Sequence, residues 1–147
     1  HHPGQFAAML AALDRGHDVV IASRYRRGSR IAGVAPYRQL LSLGAATLFK
    51  LLHWCRGVRD YTCGFRGYRV ALLQRARAHY GERLIEERGF ACMVELLLKL
   101  NRLGARLCEI PLDLRYDLKQ SASKMDAAGN TLRLLRKLVA WRVRGLE

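Results

Sequence analysis

The stretch Asp18-Val19-Val20-Ile21-Ala22-Ser23-Arg24-Tyr25 decides the fold. Its apolar core is short, rich in β-branched residues and bounded by polar ones, the pattern of a strand buried on both faces as in parallel sheets. Just upstream, Phe6 to Leu13 carries apolar side chains on a helical stripe. Gly16 stands where a helix C-cap glycine belongs. A helix leading into a buried strand is an α/β signature.

Downstream, residues 24 to 36 combine Arg24, Arg26, Arg27 and Arg30 with Gly28, Gly33 and Pro36, which predicts a mobile basic loop. Helical spacing returns from Tyr37 to Trp54, with Gly57 closing it. Asp60-Tyr61-Thr62-Cys63-Gly64-Phe65-Arg66-Gly67-Tyr68-Arg69 is glycine-punctuated and aromatic, a turn feeding a strand. Helices follow over Val70 to Tyr80 and from Gly89-Phe90 to Leu103, the second with Glu95 inside it. Ala105 to Leu114 reads as a strand, and Pro111 puts it toward an edge or a bulge. A polar segment, Arg115 to Lys124, leads to a final helix from about Ala127 to Leu146.

The 147 residues carry 26 Lys+Arg against 12 Asp+Glu, a net charge of +14 that calls for an anionic partner or surface. Half of the residues are apolar, which excludes a disordered basic tail and suffices for one core. Apolar runs such as Leu40 to Phe49 fall short of the ~20 residues of a membrane span. The opening His1-His2-Pro3-Gly4 reads as the interior of something longer. Cys55, Cys63, Cys92 and Cys108 form no CxxC pair, so buried reduced thiols are expected rather than a zinc module.

Several groups could carry chemistry. Arg24 lies at the carboxyl end of the predicted strand, where open α/β sheets bind ligands, and Arg38 on the next helix can converge with it on one phosphate. Against that stands a solvated basic loop. Asp60, with Arg56, Arg59 and Arg66 near in sequence, suits a metal-water contact, a general base or a hydroxyl acceptor, or else a structural ion pair. Glu95 in an apolar helix must be paired. Lys119-Gln120-Ser121-Ala122-Ser123-Lys124 before a helix start is a phosphate seat or an ordinary cap. The last helix aligns Leu132, Leu135, Leu138, Val139 and Val143, with Arg133, Arg136, Lys137, Arg142 and Arg144 around them and Trp141 at the boundary. That pattern fits a helix on anionic lipid headgroups or one packed on its own domain. Nucleic acid is not expected, because no zinc finger, RNP-type strand or basic zipper is present.

Taken in order, these segments resemble the family 2 glycosyltransferases that make dolichyl- and polyprenyl-phosphate sugars, over nearly the whole chain. His1-His2-Pro3 is similar to the tail of an Asp-x-Asp-x-Gln-His-x-Pro segment, and Val19-Val20-Ile21-Ala22-Ser23-Arg24-Tyr25 to a VVxGSRY strand. Arg38-x-x-x-Ser42 follows, then Asp60-x-Thr62-Cys63-Gly64-Phe65-Arg66 for DxTSGFR, with Cys63 in place of the usual Ser. Gly89-Phe90 to Glu95, Glu109-Ile110-Pro111 and Ser123-Lys124 complete the series.

The resemblance implies an α/β chain forming the second half of a GT-A-type, Rossmann-like domain with a mostly parallel mixed sheet. Residues 1–126 would be the acceptor-side part, and residues 127–147 a basic amphipathic helix. It implies an inverting transfer of sugar from a nucleotide-sugar donor to a polyprenyl phosphate. The enzyme would sit peripherally on the cytoplasmic face of an anionic membrane. Ser23, Arg24 and Arg38 would hold the acceptor phosphate. Lys119, Ser123 and Lys124 would lie near the donor pyrophosphate, and Asp60 would be catalytic. A divalent Mg or Mn ion would be bound mostly by residues upstream of residue 1, leaving this stretch inactive alone. The alternative is a non-catalytic module binding anionic lipid or, less readily, nucleic acid.

Overall fold

A computed structural model of the chain describes residues 3–32, 44, 46–115 and 127–146. The quoted stretch forms β1 (Val19–Ser23), with all five residues buried. It is the middle strand of a three-stranded mixed sheet, between β3 (Arg66–Tyr68) and β4 (Leu107–Pro111). β4 runs parallel to it, from Val19 opposite Leu107 to Ser23 opposite Pro111, whereas β3 is antiparallel, with Ile21 opposite Arg66. Its full burial explains the uninterrupted apolar run: neither face is left for water. As Pro111 predicted, β4 lies at an edge of this sheet among the described strands.

The basic loop is corrected in part. Residues 30–32 form a second short strand, β2 (Arg30–Ala32), parallel to β5 (Asp113–Arg115). Three residues set between Gly28 and Gly33 are too few for an alternating pattern to mark them, and the pairing comes from the chain that follows β4. The Leu112 amide donates to the Ser23 carbonyl at 3.1 Å, and the Arg30 amide to the Leu112 carbonyl at 2.9 Å, extending the β1 and β4 pairing past Pro111.

Helix α1 (Gly4–Asp14) buries Gln5, Met9 and Ala12, one face at spacings of four and three, and turns off at Gly16 with φ 89°. The predicted helix to Trp54 ends early: residues 46–52 are helical (α2), and 53–58 are not. Tyr61 is the physical reason. Its hydroxyl accepts the Cys55 amide and donates to the His53 carbonyl, both at 3.1 Å, supplying partners the helix would otherwise give. Its ring stacks on Phe49 with centroids 5.0 Å apart.

Helix α3 (Val70–Tyr80) buries Leu72 and Ala76 and passes through a 3-10 turn, Gly81–Leu84, toward α4 (Phe90–Arg102). In α4 the buried face is Val94, Glu95, Leu97, Leu98, Lys99 and Leu100. Helix α5 (Ala127–Arg144) corrects the predicted stripe. Leu134 and Leu138 are buried and Trp141 packs beside them, whereas Leu132, Val139 and Val143 face outward. No helix among the described residues is long and apolar enough to cross a membrane.

Candidate functional site

The carboxyl end of β1 delivers Arg24 onto the turn that follows α2. The guanidinium grips Asp60 along one edge, with Nε 2.8 Å from Oδ2 and Nη2 2.7 Å from Oδ1. The Arg24 amide adds a third bond to Oδ2 at 3.0 Å, and Nη2 also donates to the Thr62 hydroxyl. On its other side Asp60 Oδ1 accepts the amides of Thr62 and Cys63 at 3.2 and 3.0 Å and the Thr62 hydroxyl at 3.3 Å. Two segments 36 residues apart are thereby joined through one carboxylate.

Asp60 is fully buried, and its oxygens are saturated by these donors. Burial pushes its carboxyl up, but the hydrogen bond and charge of Arg24, with the Arg24 and Thr62 amides, outweigh that and hold it below the usual carboxylate range. Burial likewise works against the charge on Arg24, and Asp60 more than offsets it, so the guanidinium pKa is raised. A carboxylate so held orients a cation; it has no spare basicity for proton abstraction. The cations near Asp60 in sequence are not its partners. Arg66 instead donates to three carbonyls, those of Cys63 at 2.7 Å and of Tyr61 and Met93 at 2.6 Å, tying the turn to α4.

Ser23, beside Arg24, is fully buried, and its hydroxyl accepts the Tyr25 amide at 3.2 Å. Its carbonyl takes the Ser29 hydroxyl at 2.7 Å, which folds the start of the basic loop back on β1. Arg24 itself keeps 27% of its side-chain exposure. Ser23, Arg24 and Asp60 are therefore brought together; Arg38, Lys119, Ser123 and Lys124 lie outside the described residues.

Glu95 is paired, as burial required. Its carboxylate accepts Lys99 Nζ at 2.9 Å and the amides of Glu86 and Glu87 at 3.0 and 2.9 Å. Lys99 has no exposure and also reaches Glu86, while Glu87 pairs with Lys137 of α5 at 2.6 Å. The thiols are all free, but only Cys55 and Cys63 are buried. Burial pushes Cys55 up to about 11 and raises Cys63 and Cys108, which keeps these three protonated at neutral pH. No group of three or more His, Cys, Asp or Glu among the described residues makes a metal site. Residue patterns alone missed Thr62 and Glu109 as partners of this turn. A single acid in the otherwise apolar strand Leu107–Pro111 was the available signal for Glu109.

No family model matches the sequence. Curated relatives do, three of them as follows. Polyprenol monophosphomannose synthase of Mycolicibacterium smegmatis is 26% identical over 145 residues, 99% of this chain and 52% of the relative. Undecaprenyl-phosphate mannosyltransferase of Micrococcus luteus is 30% identical over 76% of this chain and 44% of its own length. Dolichol-phosphate mannosyltransferase of Pyrococcus furiosus is 27% identical over 67% of this chain and 26% of its own length. The α/β fold and an arginine anchored at a strand's carboxyl end are compatible with part of a glycosyltransferase domain. The relatives place the chain with the polyprenyl-phosphate mannosyltransferase-like proteins; it spans about half the length of the first two.

Proposed function

We propose that the chain is the acceptor-side part of an inverting family 2 glycosyltransferase that moves a sugar, mannose by analogy with the relatives' names, from a nucleotide-sugar to a polyprenyl phosphate. The observation that carries this reading is Arg24. Its Nε and Nη2 edge is committed to Asp60 and Thr62, so the guanidinium plane is held while 27% of the side chain stays exposed, and Nη1 would be the group left for a phosphate oxygen. Ser23 shapes the turn that presents it, and Arg38 would supply a second guanidinium. A phosphate acceptor is already anionic and needs no strong base, which suits an Asp60 that orients rather than deprotonates.

Lys119, Ser123 and Lys124 are assigned to the donor pyrophosphate on the resemblance alone. A divalent Mg or Mn ion, which would neutralise charge on the departing nucleotide, is likewise part of the resemblance. The described residues hold no group of three or more His, Cys, Asp or Glu to bind it. The test is sugar transfer into polyprenyl phosphate by the complete gene product. Arg24→Ala is expected to raise KM for the lipid phosphate while leaving KM for the donor nearly unchanged; unaltered kinetics overturn the assignment.

One observation favours a membrane surface as a partner. Leu132, Val139 and Val143 are 53%, 49% and 79% exposed on one face of α5, alongside the exposed Arg136 and Arg142. An apolar stripe flanked by arginines fits peripheral contact with an anionic leaflet, whether the chain is catalytic or only a lipid-binding module. Sedimentation with anionic and with neutral vesicles tests it; equal binding to both rejects the electrostatic part.

A further inference from the structure

We propose that Glu109 is a positioning residue for the phosphate-binding arginine, acting through the backbone of the Asp60 turn. This rests on the reading of Arg24 as the acceptor-phosphate ligand. Glu109 lies on β4 opposite Ile21, two residues before the register of Ser23, and is 7% exposed. One oxygen, Oε1, accepts two consecutive amides, Arg59 at 2.6 Å and Asp60 at 2.7 Å.

The turn is pressed against the same strand just upstream. Gly57 has φ 82°, and a Cβ there would stand 3.0 Å from the Leu107 carbonyl oxygen. The free edge of β4 is thus occupied by a segment that is no strand, held by a glycine at Leu107 and a carboxylate at Glu109. From Glu109 the connection is short. Its carboxylate fixes the Asp60 amide, Asp60 fixes both Nε and Nη2 of Arg24, and the backbone amide of Arg24 returns to Asp60. Arg24 is held from both ends of one loop of hydrogen bonds, and Glu109 is the group anchoring that loop to the sheet. With its acceptor gone, two adjacent amides lose their partner and the turn is free to drift, carrying the Asp60 carboxylate with it.

The experiment measures binding of farnesyl phosphate to the complete gene product by titration, with Arg24→Ala, Glu109→Ala and Glu109→Gln beside the wild type. The Arg24 Nε–H resonance is followed by NMR and folding by thermal melting. Displacement of a positioned group weakens its ligand steeply, so Arg24→Ala and Glu109→Ala are each expected to lose about tenfold or more in affinity. Glu109→Gln keeps an oxygen at Oε1 and is expected to stay within about threefold of wild type, since neutral acceptors are about half as strong as charged ones. The Arg24 resonance shifts in Glu109→Ala and stays near its wild-type position in Glu109→Gln. A folded Glu109→Ala chain with wild-type affinity and an unmoved resonance overturns the proposal while leaving the Arg24 reading intact. Should Glu109→Ala fail to fold, Glu109→Asp decides: shortened by one methylene, it is expected to bind more weakly, and wild-type affinity overturns the proposal. An Arg24→Ala chain that binds as well as wild type, or a wild-type chain that does not bind, overturns the acceptor reading and this proposal together.

Discussion

At the scale of single residues, the Arg24 and Asp60 pair does two jobs that pull against each other. On the proposed acceptor reading, the guanidinium must be held still to meet a phosphate, yet a carboxylate close enough to hold it also competes for its charge. The geometry divides the guanidinium, giving Asp60 one edge and leaving part of the side chain at the surface. Removing the acid leaves a partly buried cation uncompensated. Asp60→Ala is expected to cost about 3 kcal/mol in chemical denaturation, at the low end for buried pairs because Arg24 stays partly solvated. The pH dependence has a definite sign. Asp60's carboxyl is held below its ordinary value, so its ionised form contributes stability in full above about pH 4 and loses it as pH falls through the lowered value. Unfolding midpoints of wild type and Asp60→Asn should therefore converge in acid; a constant gap from pH 7 to strongly acid solution would reject the pair as the cause.

Elements meet through side chains that stand in for backbone. Tyr61 closes the end of α2 with its hydroxyl, Arg66 takes three carbonyls of the turn and α4, and Glu109 takes two amides beside β4. Tyr61→Phe keeps the ring stacked on Phe49 and loses only the hydroxyl, which leaves the Cys55 amide and His53 carbonyl without it. A loss of about 1–2 kcal/mol in stability is expected. Helix α5 shows the same economy on its two faces. Leu138 is fully buried and its carbonyl accepts a ring nitrogen of His53 at 3.0 Å, whereas Val139 points outward. Leu138→Ala should destabilise by about 2–4 kcal/mol and Val139→Ala by less than about 0.5 kcal/mol in the same denaturation series. Equal effects would show that the helix does not pack as described.

On the scale of the whole molecule, the charge of +14 is spent unevenly. Arg24, Arg66 and Lys99 are held by internal acceptors, while Arg26, Arg27, Arg30, Arg136 and Arg142 remain exposed. Exposed cations such as these are available to an anionic surface, and their attraction is screened over about 8–10 Å at ordinary salt. Replacing Arg136 and Arg142 by Glu should weaken sedimentation with anionic vesicles by roughly thirtyfold or more, at about 1 kcal/mol for each lost cation, and raising salt should shrink the difference. Undiminished binding would move the contact elsewhere.

By itself the sequence determined the elements whose signal is local. The run Val19 to Ser23 is buried because nothing in it can face water, α1 stops where Gly16 permits a positive φ, and Pro111 marks an edge. The order of short motifs also pointed to the polyprenyl-phosphate mannosyltransferase-like proteins, and the relatives bear that out. Only the tertiary structure decided what depends on residues distant in the chain. Asp60 pairs with Arg24 rather than with its neighbours, β2 exists because β5 runs beside it, and Leu134 rather than Leu132 packs on the core. Such choices are made by contacts closed over tens of residues. A periodic pattern says that a face or a charge needs a partner, and packing alone selects which partner arrives.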